Sequence, residues 1–164
     1  MKIEEIVPKE NILKILEILT QKLNVTNDEI IALNNSADKE NAILPISIFE
    51  SDLSPLETIS KYLSEECDYS CAKIARLLNR SHSSVWNACK DANSKLPARF
   101  QKKNSVISIP IKVFASEKLS AMEALVHHVK SAHKLKFSEI AKLINRDEKT
   151  VWTSYDRAKR KLRN

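Results

Sequence analysis

The sequence predicts an all-α protein containing two copies of one small helical module, and three observations support this. The 164 residues include no glycine and only five prolines, which disfavours β-hairpins and glycine-rich phosphate loops because both need residues that tolerate positive φ. The stretch Cys71 to Lys95 recurs 66 residues later as Phe137 to Lys161. Finally, both copies begin with the same helix-start signal.

The repeat is free of gaps over its helical part. Residues 53–96 align with residues 119–162 at an offset of 66, with thirteen identities in 44 positions. Such identity at matching helix starts indicates a duplicated domain. Two copies are too few for a solenoid, so we expect two tandem three-helix modules with approximate internal symmetry.

Each module starts with a capping signal. Ser54 is followed three residues later by Glu57, and Ser120 is followed in the same way by Glu123. Serine at the N-cap and glutamate at the third helical position form a capping box. The first helices are therefore expected at about residues 54–66 and 120–133.

A short apolar arm precedes each module. Leu44–Phe49 (LPISIF) recurs as Ile109–Phe114 (IPIKVF) at an offset of 65, so the second copy carries one inserted residue before its helix. Both arms contain a proline near the start and alternating β-branched residues, which favour extended backbone. Two arrangements are open: the arms pair with each other as a two-stranded ribbon, or each packs along its own module.

The rest of the chain divides around these modules. Residues 1–42 are predicted to form an N-terminal helical hairpin and a polar linker, because apolar residues recur at helical spacing and Thr26 with Glu29 signals a second short helix. This hairpin either packs on the neighbouring module or forms a homodimer through residues 10–34. The first module is expected at 43–98, a basic linker at 99–109 and the second module at 110–164.

The second copy has the spacing of a helix-turn-helix. A helix from Phe137 ends at Asn145, and asparagine is the best replacement for glycine in a left-handed turn. Asp147 then caps a second helix, with Thr150 three residues later. A bracing helix, a short turn and a second helix that presents its N-terminal half make a helix-turn-helix. The buried face of the second helix is predicted at Val151, Tyr155, Ala158 and Leu162.

This pattern resembles region four of bacterial sigma factors and the LuxR-type DNA-binding domain, over both modules and about two thirds of the chain. The second copy carries the likeness at Leu119, Ser120, Glu123, Glu139, Ile140, Ala141, Thr150, Val151, Ala158 and Lys161. The first copy carries it at Leu53, Ser54, Glu57, Ile74, Ala75, Ser84, Val85, Ala92 and Lys95. Two features depart from the family: asparagine (Asn79, Asn145) replaces the turn glycine, and tryptophan (Trp86, Trp152) replaces the cation after the valine.

The resemblance implies that outward residues of the second helix contact double-stranded DNA. In the second module the predicted DNA-binding residues are Lys149, Thr150, Trp152, Thr153, Asp156, Arg157, Lys159, Arg160, Lys161 and Arg163. In the first module the candidate contacts, to DNA or to a partner protein, are His82, Ser83, Ser84, Trp86, Asn87 and Lys90.

The charge distribution points independently to the second module. The net charge of +6 is uneven: residues 1–44 carry −3, residues 45–98 carry −1, residues 99–109 carry +3, and residues 110–164 carry +7 from 13 cations and 6 anions. A basic surface of this kind suits a polyanion. The alternative is a solvated basic helix, although cations at a helix C-terminus gain only a few tenths of a kcal/mol each from the helix dipole.

Trp86 and Trp152 lie at equivalent positions beside the buried face. We expect each indole to pack half-buried against its own arm, on Phe49 or Phe114. Contact with DNA or with the other module is the alternative. Lys61 and His127, at equivalent positions of the two first helices, are interpreted as surface residues.

No arrangement of catalytic residues stands out, so an enzyme is not expected. Cys67, Cys71 and His82 suggest a metal site, but the usual CxxC spacing is missing and the second copy does not keep these residues. We therefore expect apolar cysteines, no metal and no cofactor. Three cysteines and the lack of a long apolar run favour a cytoplasmic protein without a membrane span, associated with the nucleoid when bound to DNA.

These observations predict a sequence-specific, double-stranded DNA-binding transcriptional regulator that uses the second module or both. Two alternatives stay open. One is a sigma-like interaction protein that binds RNA polymerase or another regulator. The other is a DNA-organising protein of low sequence specificity.

Overall fold

The computed structural model describes residues 42–100 and 105–163, and helices dominate this part of the chain. Its six α-helices are α1 (Pro55–Glu66), α2 (Cys71–Leu78), α3 (His82–Lys95), α4 (Ala121–His133), α5 (Phe137–Leu143) and α6 (Glu148–Arg163). The predicted all-α class is confirmed for these residues, which are mostly helical and contain little strand. The predicted N-terminal hairpin and the homodimer surface at residues 10–34 lie outside the described residues.

Both first helices begin where the capping signals place them. The Ser54 amide donates to Glu57 Oε2 at 3.0 Å, and the Glu57 amide donates to Ser54 Oγ at 3.4 Å. Ser120 and Glu123 make the same pair of hydrogen bonds at 2.9 and 3.3 Å. The capping box therefore starts α1 and α4, as predicted.

The two arms pair with each other. Three-residue strands β1 (Ile43–Pro45) and β2 (Ser108–Pro110) form an antiparallel ribbon. Leu44 lies opposite Ile109 at its centre, and both side chains are fully buried. Of the two arrangements left open by the sequence, the ribbon is the one adopted.

Beyond their prolines the arms are not extended, and this part of the prediction is wrong. Ile46–Glu50 and Ile111–Ala115 are 3₁₀ helices. Ile46, Ile48 and Phe49 are all buried, whereas a strand would turn every second side chain away from one face. The 3₁₀ helix brings residues three apart onto one side, so Ile46 and Phe49 reach the core together.

The 3₁₀ helices join the two copies through one core. The first packs on α1 and on α5 of the second copy, and the second packs on α4 and on α2 of the first copy. The rings of Phe49 and Phe114 meet between them, with centroids 6.0 Å apart, and both are buried. Residues 41–164 accordingly form one compact unit.

The contacts between the copies are reciprocal. Leu44 and Ile109 are equivalent residues and pair with each other, and so are Phe49 and Phe114. Ile43 pairs with Pro110 just as its equivalent, Ser108, pairs with Pro45. A contact that maps onto itself when the copies are exchanged is isologous, so an approximate twofold axis passes through the centre of the ribbon and the phenylalanine pair.

Candidate nucleic-acid interface

Helix α5 and the turn after it place α6 on the surface. Ile140 and Ala141 hold α5 in the core at 0% and 7% exposure. Asn145 follows at φ 49°, a left-handed conformation that asparagine adopts more readily than most residues. The Arg146 amide then donates to the Ala141 carbonyl at 3.0 Å. The turn is thus defined by its own backbone and sets the direction of α6.

Asp147 caps α6, as predicted. The Thr150 amide donates to Asp147 Oδ1 at 2.8 Å, and the Thr150 hydroxyl donates to the other carboxylate oxygen. The bond from this hydroxyl, followed by the amide bond, lowers the pKa of Asp147. The Thr150 side chain, a predicted DNA contact, is therefore engaged in the cap.

The inner face of α6 agrees with the prediction except at its end. Val151 and Ala158 are fully buried. Tyr155 lies against Phe137 and His127, with ring centroids 5.4 and 5.8 Å apart. Leu162, however, is 48% exposed and directly follows Lys161, which pairs with Glu123 at the start of α4. Its predicted burial is wrong.

The outer face of α6 carries the predicted DNA-binding residues. Seven are exposed: Lys149, Trp152, Arg157, Lys159, Arg160, Lys161 and Arg163. Thr150, Thr153 and Asp156 are partly buried. One helix thus brings six cations to the surface over its 16 residues. We call these six side chains the basic face.

Two cations of the basic face have carboxylate partners within the protein. Arg160 pairs with Asp156 one turn earlier on α6. Lys161 Nζ lies 2.8 Å from Glu123 Oε2 at the start of α4. Burial favours the neutral acid, but the bonds from Lys161 and from the Ser120 amide outweigh it and lower the pKa of Glu123. Lys161 thereby fastens the end of α6 to α4 while its side chain stays 47% exposed.

In the first copy, α3 occupies the place of α6 with a different surface. All six candidate residues are exposed: His82, Ser83, Ser84, Trp86, Asn87 and Lys90. The hydroxyls of Ser83 and Ser84 lie 3.2 and 2.7 Å from Ser81 Oγ, which caps the helix. Lys90 Nζ lies 5.5 Å from the ring centroid of Trp86. This face is polar, with few cations.

The exposure of the two tryptophans agrees with the half-buried positions that we expected, but their predicted packing partners do not. Trp86 and Trp152 are 51% and 53% exposed. The phenyl rings predicted to receive them, Phe49 and Phe114, are buried and face each other. The expected packing of each indole on its arm is therefore wrong, because the arms join the shared core instead. The helix surface keeps an indole at the same position in both copies.

Arg80 is a site residue that the sequence reasoning did not identify. It follows Asn79 in the turn between α2 and α3. Its Nη2 donates to the Ser116 carbonyl at 3.2 Å and also to the Leu119 carbonyl, in the segment that leads into α4 of the other copy. The side-chain Nδ2 of Asn79 donates to Glu117 Oε1 in the same segment at 2.9 Å.

Arg146 makes the equivalent contacts in the opposite direction. It donates to the carbonyls of Leu53 at 2.7 Å and Ser51 at 3.4 Å, in the segment that leads into α1. Asn145 donates to Asp52 there at 3.4 Å. We call these two sets of contacts the reciprocal clasp. The sequence signal for the reciprocal clasp is the Asn-Arg dipeptide, which is the same in both copies.

Two cysteines of the first copy lie side by side. Cys71 and Cys89 have their sulfurs 3.7 Å apart and occupy the positions that Phe137 and Tyr155 fill in the second copy. Burial, then the hydrogen bond and charge of Cys71, raise the pKa of the Cys89 thiol to about 12, so that thiol stays protonated at neutral pH. Within residues 42–100 and 105–163 no group of three potential ligands is placed to hold a metal ion.

Comparison of the chain with protein-family models, curated proteins and solved structures finds no match. In the described part of the chain, none of the helices has the length and apolar character needed to cross a membrane.

Proposed function

We propose that the chain is a sequence-specific, double-stranded DNA-binding transcriptional regulator. In this proposal α2 with α3, and α5 with α6, are two helix-turn-helix units, and α6 is the main recognition helix. The observation that carries the proposal is the basic face, which α5 and the left-handed turn hold at the surface.

Electrostatics supports α6 as the helix that grips DNA. Cations that neutralise phosphates release condensed counterions, and this release supplies much of the affinity for DNA. Arg160 and Lys161 already have carboxylate partners. Lys149, Arg157, Lys159 and Arg163 are exposed along the same helix and are the cations that we assign to phosphates.

The start of α6 supports sequence reading. A helix-turn-helix presents the N-terminal half of its second helix to base edges in the major groove. Trp152 and Thr153 occupy that half. A threonine hydroxyl bonds to several base edges, and apolar groups contact the thymine methyl. This half of α6 is where we place discrimination between sequences.

Selection of bound duplexes from a random pool tests the proposal. A recovered motif supports a sequence-specific regulator, and tight binding without a motif supports the DNA-organising alternative. The double variant Lys149→Ala with Lys159→Ala is expected to weaken binding and reduce the salt slope by about 2, since each lost phosphate contact removes about 1. Binding by this variant equal to wild type would overturn the role of α6.

A matched variant controls for net charge. Lys112→Ala with Lys134→Asn removes two exposed lysines away from α6. Asparagine suits position 134 because Lys134 has a φ of 53°. This variant is expected to keep the wild-type salt slope to within about 0.5.

A second function is favoured by α3. Its exposed face has few cations and an indole that is 51% exposed at Trp86, and tryptophan is enriched at energetic centres of protein interfaces. The corresponding proposal is that the first copy binds RNA polymerase or another regulator. In a titration with purified RNA polymerase, Trp86→Ala would weaken binding and Trp152→Ala would not. Equal effects of the two substitutions would contradict this assignment.

A further inference from the structure

The approximate twofold axis has a consequence for the two proposed recognition helices. Helix α3 begins beside the start of α4, where Arg80 donates to the Leu119 carbonyl. It ends beside the start of α1, where Lys95 Nζ lies 2.7 Å from Glu57 Oε1. Helix α3 therefore runs from the start of one first helix to the start of the other.

Helix α6 runs between the same two points in the opposite direction. It begins beside the start of α1, where Arg146 donates to the Leu53 carbonyl at 2.7 Å. It ends beside the start of α4, where Lys161 pairs with Glu123. The helices α3 and α6 are thus antiparallel, and each is anchored at both ends to the same two points of the core.

Three sets of contacts join the two copies in this arrangement. The reciprocal clasp ties each turn to the opposite copy, the ribbon pairs the arms, and Phe49 contacts Phe114 across the axis. Arginine supplies a planar fork of donors, and both arginines donate to two carbonyls each in the other copy. The chain thereby has the internal symmetry that other DNA-binding proteins gain by forming a dimer.

Duplex DNA has local twofold axes of its own, and a protein with twofold symmetry mirrors them by binding an inverted repeat. Resting on the function proposed above, we propose that one chain binds one duplex as a built-in dimer. Its site consists of two half-sites in inverted orientation, and the reciprocal clasp sets their spacing. Two modules joined by a mobile tether would accept direct repeats and variable spacers as well.

The two half-sites are unequal in this proposal. The half-site under α6 receives the basic face and supplies most of the salt-dependent affinity. The half-site under α3 is read by short polar side chains such as Ser83 and Asn87, which are exposed and of types that hydrogen-bond base edges. The expected target is an imperfect palindrome bound by a single chain.

The test compares orientation and spacing with the full chain. The two-part site recovered from a random pool is rebuilt as an inverted repeat, as a direct repeat, and with about 5 bp, half a helical turn, added between its halves. The inverted repeat at the selected spacing is expected to bind about tenfold more tightly than either other duplex, comparable to the penalty for a mismatched base pair. Light scattering of the complex is expected to give one chain per duplex.

Variants test the role of the clasp. Arg80→Ala with Arg146→Ala is expected to lower the ratio between inverted and direct repeats without abolishing it, because the ribbon and the phenylalanine pair still join the copies. Binding to the α6 half-site alone is expected to stay within about threefold. Arg76→Ala with Lys112→Ala, which removes two exposed cations elsewhere, is expected to keep the wild-type ratio. If the clasp variant does not fold, the comparison of inverted and direct repeats with the wild-type chain still tests the inference.

Three results would overturn the inference. Equal affinity of wild type for inverted and direct repeats would show that the axis does not govern the site. Two chains on one palindrome, or one chain bridging two duplexes, would contradict the built-in dimer. Each of these results would contradict the inference but not the proposed binding of DNA. Absence of binding to any duplex at low salt would instead remove the proposed function together with this inference.

Discussion

At the scale of single residues, the turn asparagines show how directly sequence sets geometry in this chain. Asn79 and Asn145 have φ values of 50° and 49°. Each also donates its side-chain amide to the opposite copy, to Glu117 and Asp52. Asparagine thus combines tolerance of a left-handed conformation with a contact that glycine lacks.

Substitution of Asn145 separates these two roles. Asn145→Ala is expected to destabilise the fold by about 1 kcal/mol, because a Cβ without a compensating side-chain bond is unfavourable at positive φ. Asn145→Gly is expected to cost less, since glycine removes the steric penalty. Urea unfolding measures both. Greater destabilisation by glycine than by alanine would contradict the role of the left-handed backbone, because both variants lack the bond to Asp52.

The capping glutamates make the free energy of unfolding depend on pH. Burial raises the pKa of Glu57 and of Glu123. Hydrogen bonds from Lys95 and Ser54 to Glu57, and from Lys161 and Ser120 to Glu123, more than offset this effect. Both pKa values therefore lie below the ordinary value of 4.5. A lowered pKa stabilises the fold above the unfolded-state pKa, and this stability is lost as pH falls through the folded-state pKa.

Glu123→Gln tests this dependence, because glutamine keeps the capping geometry but cannot titrate. Wild type is expected to lose more thermal stability between neutral pH and acid than Glu123→Gln does. Glu148→Gln, at an exposed position of α6, is expected to retain the acid sensitivity of wild type. An unchanged pH profile in Glu123→Gln would contradict the assignment.

Other residues could not be predicted from local sequence. Lys61 was expected on the surface but is 2% exposed; it pairs with Glu65 and donates to Asn93 at 3.0 Å. Its equivalent, His127, stacks on Tyr155 instead. The burial of a lysine depends on partners brought from another helix, and helical spacing carries no information about them.

At the scale of elements, local signals predicted the helices and missed the end of each arm. Capping boxes and the asparagine turn act within a few residues, so α1 and α4 begin where the sequence places them. The 3₁₀ helices depend on a core shared by both copies. Such a core comes from tertiary packing, which can override the preference of β-branched residues for strands.

Substitution of Phe49 and Phe114 measures how strongly the arms couple the two copies. Phe49→Ala and Phe114→Ala are each expected to destabilise the fold by about 3–5 kcal/mol, as large-to-small changes in a core do. A double-mutant cycle is expected to give a coupling of about 0.5–1.5 kcal/mol between the rings. Additive losses in thermal or urea unfolding would show that the two rings act independently.

At the scale of the whole molecule, the two copies share one core and are expected to unfold together. The ribbon, the phenylalanine pair and the reciprocal clasp all cross between copies within residues 41–164. The sequence predicted the duplication and its approximate symmetry. It did not predict the axis, because the crossing contacts involve residues far apart in the chain.

Division of the chain tests this shared core. A fragment of residues 105–164 lacks β1 and Phe49 and leaves Phe114 and Ile109 without their partners. It is expected to be largely unfolded by circular dichroism, while the full chain under the same buffer conditions shows one unfolding transition for these residues. A folded, cooperative fragment would show that the second copy is an independent domain.

The central claim is that the basic face of α6 binds the DNA backbone, and the salt dependence of binding tests it most directly. Fluorescence anisotropy with a duplex of about 30 bp is measured over a series of salt concentrations. Four phosphates neutralised by Lys149, Arg157, Lys159 and Arg163 predict a slope of log K against log salt of about −3.6. Undetectable binding at low salt, or a slope near zero, would contradict the claim.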